Sequence, residues 1–151
     1  MMADLFPDGW CSTRFRVRFA ETDAAGIVHH SAYFVWFEEG RSELSRQLSM
    51  PYSDLESHGV DLLLTRAEAS YLAAARYDDE VEILTRALRV RSRRIVFEYR
   101  AVRPSDGTLL ATGITEHLAV SRANGRPARI PEPFLSCYRA AAKPKIGPQN
   151  H

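Results

Sequence analysis

Apolar and charged residues alternate near the start of the chain: Phe15, Val17 and Phe19 interleave with Arg14, Arg16 and Arg18. A period of two predicts a strand with one buried face running to Phe19. Beyond ETDAAGIVHH, Glu21 to His30, the period changes. Tyr33, Phe37, Leu44 and Leu48 recur at helical spacing with Phe34 and Trp36 beside them, and Glu38, Glu39, Arg41, Glu43 and Arg46 fill much of the rest. This predicts a long amphipathic helix. Ser31 is its expected N-cap, without a capping box because Phe34 stands three residues on.

From Val60 to Val120 the chain reads as four strands: VDLLLTRAEASYL, EVEILTRALRVR, RIVFEYRAVR and TLLATGITEHLAV. The third is the clearest, with Ile95, Phe97, Tyr99 and Ala101 on one parity. In the second, apolar positions move from odd (Val81, Ile83) to even (Leu88, Val90), as a β-bulge would produce, and Gly113 is a candidate for another. PSDG, Pro104 to Gly107, predicts a hairpin turn. A short helix is expected in PEPFLSCYRAAA, followed by a disordered polar tail in KPKIGPQNH. The order strand, long helix, then antiparallel strands places one helix against one curved sheet in an α+β domain, with structure expected over about 12–142 and a tail over 143–151. An edge strand left free in such a sheet invites pairing with a second copy.

Bulk properties narrow the functional classes. A chain of 151 residues, 45% hydrophobic, suits one domain over 1–151 with a single core. A formal charge of +1 gives no global field for nucleic acid or anionic membrane. Cys11 and Cys137 have no metal-ligand or disulfide-scaffold spacing, and MMADLFPDGWCS lacks the basic and apolar regions of a signal peptide, so a cytoplasmic protein without membrane insertion is expected. No G-x-S-x-G elbow, phosphate-binding loop or G-x-G-x-x-G fingerprint is present.

The pattern F-x-E-T-D-A-A-G-I-V-H-H-S-A-Y-F-x-W-F-E-E-G-R, Phe19 to Arg41, resembles the signature of the hotdog-fold acyl-CoA thioesterases of the 4-hydroxybenzoyl-CoA thioesterase class, including those associated with the Tol-Pal system. The similarity continues through AEASYLAAARYDDEVEI and RSRRIVFEYRAVRPSDGTLLATG to GRPARIP; Ala32 and Ala74 depart from the residues usual there. The resemblance implies a hotdog fold, one helix wrapped by a curved antiparallel sheet, and hydrolysis of an acyl-CoA to acid and free thiol. Asp23 is the implied catalytic carboxylate, as nucleophile or as general base on water, and the backbone N–H of His30 the implied oxyanion donor. The start of a helix suits that donor, because its first amides are unpaired and partly positive.

Gly26 would allow close approach of backbone and ligand. His29 and Tyr33 are expected to border the acyl pocket. Glu21 reads as a surface acid outside the site. The adjacent histidines are expected to point in different directions, which with the scattered His58, His117 and His151 argues against a metal. Between Arg86 and Arg103 lie seven arginines and one acid, Glu98. Most read as an exposed face, but Arg91, Ser92, Arg93 and Arg94 cluster at a strand junction, and resembling enzymes bind the nucleotide phosphates of coenzyme A near here. Coenzyme A belongs to the substrate, so no cofactor is expected. A homo-oligomer, dimer or dimer of dimers (a homotetramer), is implied. An enoyl-CoA hydratase or dehydratase and a non-catalytic acyl-CoA binding module are the alternatives.

Overall fold

The computed structural model of the chain describes residues 9–142, so the tail expected over 143–151 lies outside the described residues. Strand β1 spans Cys11–Arg16, with Cys11, Thr13 and Phe15 directed inward between exposed Ser12, Arg14 and Arg16. The alternation breaks sooner than the sequence pattern implies. Val17 is buried, but a 3-10 turn follows at Phe19–Glu21 and leaves Phe19 76% exposed. The apolar period continues in sequence while the backbone has already stopped being extended.

Helix α1, Ala32–Gln47, buries Tyr33, Trp36, Phe37 and Leu44. Ser31 occupies the N-cap position as expected, yet its side chain does not cap the helix: its hydroxyl lies 2.7 Å from His29 Nδ1. Helix α2, Tyr52–Ser57, leads into β2 (Val60–Tyr71), followed by β3 (Glu80–Val90), β4 (Arg94–Arg103), β5 (Thr108–Ser121) and helix α3 (Phe134–Ala142). The antiparallel sheet has the order β1-β3-β4-β5-β2. It wraps α1 in the hotdog arrangement.

The core lies between α1 and the central strand. Ile95, Phe97, Tyr99 and Ala101 of β4 are wholly buried, and Phe37 stacks on Tyr99 with ring centroids 4.5 Å apart. Two glycines let helix and sheet come so close. A Cβ on Gly40 would run into Thr85, and one on Gly113 into the Phe37 ring. Gly113 therefore serves close approach and forms no bulge, pairing in register with Ala69 and Tyr99. The parity shift in β3 is a true bulge, with the register slipping between Ala87 and Arg89. Further slips fall at Leu64/Arg66 and Ala101/Val102. Gly107 closes the PSDG hairpin at φ 72°, a conformation that favours glycine. Helix α3 packs on β3 and is tied to α1 by a hydrogen bond between the Tyr138 phenol and the Ser45 hydroxyl.

Among the described residues strand β2 is an edge, bonded only to β5, and its middle is exposed on both faces. Leu63 and Leu64 stand 55% and 50% exposed there. Among the described residues no helix is long and apolar enough to cross a membrane.

Candidate active site

The segment Glu21 to His30 folds back on itself between the 3-10 turn and α1. Thr22 and Val28 form an antiparallel bridge, and inside it the Asp23 amide donates to the Ile27 carbonyl at 2.8 Å. Gly26, at φ 78°, makes the reversal and donates to the Asp23 carbonyl at 2.9 Å. One carboxylate oxygen of Asp23, Oδ1, accepts from the Ala25 amide at 2.8 Å and more distantly from that of Ile27 at 3.4 Å. Among the described residues Oδ2 has no hydrogen-bond donor. The side chain is thus held by one oxygen, and the residue lines the adjoining cavity.

That cavity holds about 420 Å³, between the loop, the start of α1 and the end of β2. Asp23, Ile27, Val28, His30 and Tyr33 line one side, and Tyr71, Leu72, Ala73 and Ala74 the other. Three contacts fix the two sides together. The Val28 amide donates to the Ala75 carbonyl at 2.9 Å, the Tyr71 hydroxyl donates to the His30 carbonyl at 2.9 Å, and the Tyr33 and Tyr71 rings meet edge to face at 5.3 Å. The amides of His29 and Ala32 donate to Glu21 and His29 carbonyls, at 2.8 and 3.0 Å, whereas the His30 N–H has no acceptor among the described residues. Burial pushes the Tyr33 phenol above its ordinary pKa, so it stays neutral.

The histidines do not diverge: their rings lie 4.1 Å apart, tilted by 33°. They sit in a turn, where successive side chains need not point to opposite sides as they do in a strand. The Ser31 amide donates to His29 Nδ1 at 3.2 Å, which places the imidazole proton on Nε2 in the neutral form. His30 lines the cavity; His29 and Gly26 flank it, with Gly26 near the Arg76 guanidinium.

Glu21 is no surface acid. Its carboxylate accepts from the Arg18 amide at 2.8 Å and from the indole N–H of buried Trp36 at 2.6 Å, with the Arg18 guanidinium 3.3 Å away. Burial alone would raise its pKa, yet these donors hold the carboxyl below the ordinary carboxylate range. It ties the start of the Asp23 loop to α1. Sequence reasoning misses Tyr71 and Glu21, along with the apolar lining of Ile27, Val28, Leu72 and Ala73. Tyr71 stands forty-one positions from its partner His30, so no local motif can signal the contact.

Arg91, Ser92, Arg93 and Arg94 form the β3–β4 turn, the three arginines exposed. The Arg91 amide donates to the Arg94 carbonyl and the Ile130 amide to the Ser92 carbonyl, both at 2.8 Å. Within one chain this turn is remote from Asp23. Arg94 pairs with Leu118 on β5, whereas Tyr71, beside Asp23, pairs with Ala111. Those seven residues correspond to about 23 Å along the strand.

The family model described as the thioesterase-like superfamily matches residues 17–137. A protein of Aquifex aeolicus is 36% identical over 83% of this chain and 95% of its own length. The acyl-CoA thioester hydrolase YbgC of Escherichia coli is 28% identical over 82% of this chain and 92% of its own length. A solved structure of a Thermus thermophilus protein, 40% identical, superposes with a TM-score of 0.77 over 87% of this chain and 96% of that one. The match runs from just past β1 into α3, and with it the whole site: the chain belongs to the thioesterase-like superfamily.

Proposed function

We propose that the chain hydrolyses an acyl-CoA thioester to the free acid and coenzyme A. The observation that carries this reading is that Asp23 and His30, whose N–H has no acceptor among the described residues, line one cavity just before α1. Negative charge develops on the thioester carbonyl oxygen as it is attacked, and a fixed N–H aimed there stabilises it without reorganisation. Asp23 either attacks the carbonyl carbon, expelling the thiolate and leaving a mixed anhydride that water opens, or takes a proton from water as water attacks. Either way the thiolate leaves and takes up a proton. Tyr33, Ile27 and Leu72 offer the acyl group an apolar wall, with His29 and Gly26 at the margin. The name of the Escherichia coli relative, an acyl-CoA thioester hydrolase, supports coenzyme A as the carrier.

The basic turn enters the reading through a second copy. In this proposal two β2 edges pair antiparallel about a two-fold axis near mid-strand, covering Leu63 and Leu64. The start of one β2 then lies beside the end of the other. That arrangement moves the second copy's Arg91–Arg94 turn into the same row of the extended sheet as the Asp23 cavity, where its guanidinium groups can hold the coenzyme A phosphates.

Thiol release from a panel of aryl- and fatty-acyl-CoA substrates tests the reading, comparing the native chain with Asp23→Asn. The expected result is a fall of about a hundredfold or more in the variant with substrate binding kept, the scale on which a positioned acid–base group acts. Equal rates in both proteins, or no release by the native chain from any substrate, would overturn it.

A further inference from the structure

A second cavity, of about 430 Å³, opens beside the start of β2, between α1 and α2. Leu55, Val60 and Leu62 give it an apolar wall, and Arg41 and His117 give it polar groups. Among the described residues Arg41 has no carboxylate within ion-pair distance; its one hydrogen bond is long, 3.5 Å from Nη1 to the Tyr99 hydroxyl. Three acids, Glu38, Glu56 and Asp61, also line this cavity, none of them within ion-pair distance of Arg41. Glu56 and Asp61 pair with Arg122 at 3.4 and 3.6 Å, and Glu38 sits on the ridge shared with the neighbouring groove over Trp36. The groups on which the Arg41 charge acts most directly, Tyr52, Tyr99 and His117, are held neutral. Burial raises the phenols of Tyr52 and Tyr99, and burial together with Arg41 itself lowers buried His117 to about 4. A guanidinium in such surroundings, with a forked set of donors free, lacks its anion.

We infer that this cavity takes a carboxylate carried on a short apolar body, with the anionic end on the Arg41 guanidinium and the body against Leu55, Val60 and Leu62. Two sources share that chemistry. One is a free monocarboxylic acid of the kind thioester hydrolysis releases. The other rests on the hydrolase reading and on β2 pairing: the far end of an acyl group that bears a second carboxylate, reaching in from the Asp23 cavity of a second copy.

Binding of benzoate and hexanoate to the full chain, set against benzamide and hexanamide, tests the site by calorimetry. The acids should bind at least about tenfold more tightly than the amides, the scale of one charge-assisted pair. Arg41→Met should remove that margin, Arg41→Lys should restore part of it, and Asp23→Asn should leave it intact. In parallel, hexanoate should shift the His117 ring signals in the NMR spectrum of the unmutated chain, a readout that does not depend on any variant folding. Equal binding of acids and amides, a margin that survives Arg41→Met, or a margin lost in Asp23→Asn would overturn the inference. The last outcome would place the acid at Asp23 instead. Thiol release separates the sources: a preference for adipoyl-CoA over hexanoyl-CoA that Arg41→Met abolishes assigns the acyl end, and bound hexanoate with an unchanged adipoyl-to-hexanoyl ratio assigns the free acid. Absence of thiol release from every substrate would remove the hydrolase reading and leave the binding comparison standing on its own.

Discussion

Glu21→Gln removes a charge from the root of the active loop while keeping the shape of the side chain. The Arg18 guanidinium is 74% exposed, so its ion pair with Glu21 contributes little. What matters is that the carboxylate accepts two N–H bonds, from the Arg18 amide and the Trp36 indole. A glutamine offers one carbonyl oxygen and an NH2, so one of those donors must face another donor. A buried donor left without an acceptor costs about 1–3 kcal/mol. Taking about 2 kcal/mol and an m-value of about 2 kcal/mol/M, the urea midpoint at pH 7 should fall by about 1 M.

The pH dependence follows from the direction of the shift. The folded chain holds the Glu21 carboxyl below its ordinary pKa, so the unfolded chain binds the proton more readily. Its stabilisation is complete above the ordinary value, about 4.3, and is lost as pH falls through the lower folded value. The gap between native and Gln proteins should therefore be widest at neutral pH and narrow in acid. Midpoints within about 0.2 M of each other at pH 7, a fifth of the expected energy at that m-value, or a gap that widens on acidification would refute this account of Glu21.

Two further substitutions probe the frame behind the site. Gly113→Ala should cost about 1–3 kcal/mol through overpacking against Phe37, and combining it with Phe37→Leu should cost less than the two changes added separately, read by chemical denaturation. His117 is buried with its pKa lowered from 6.5 to about 4, so the folded chain resists protonating it. Native stability should thus be full above about pH 6.5 and fall by up to about 3 kcal/mol toward pH 4, a slope that His117→Phe should lack.

Period and punctuation made much of this architecture legible in advance. The helix was announced by its own spacing, β4 by alternation, the hairpin by PSDG, and the bulge in β3 by a parity change that survives because both halves of the strand face the same core. Phe19 misled because hydropathy keeps its period through a backbone that has turned to 3-10 geometry. Gly113 misled because a bulge and a close helix approach both select glycine, and only the position of Phe37 separates them. In the site, Asp23, His30 and Tyr33 stand close in sequence and in space, so a contiguous motif could carry them. Glu21 looks like any acid near arginines until Trp36 is seen to donate to it, and Tyr71 belongs to a strand whose other side chains are mostly solvent-facing.

The ten residues from Glu21 to His30 borrow their shape from three places outside themselves: Trp36 on α1, the Ala75 carbonyl, and the Tyr71 hydroxyl at the end of β2. The smallest portable version of this site is therefore not the motif. Grafted alone onto another strand–helix junction, ETDAAGIVHH would keep its internal turn and lose the aim of its carboxylate and amide. A designer moving it would have to carry the first turns of α1 and the β2 exit as well, and a homologue that keeps the motif but has lost those anchors should be read as a relative in shape before it is read as one in chemistry.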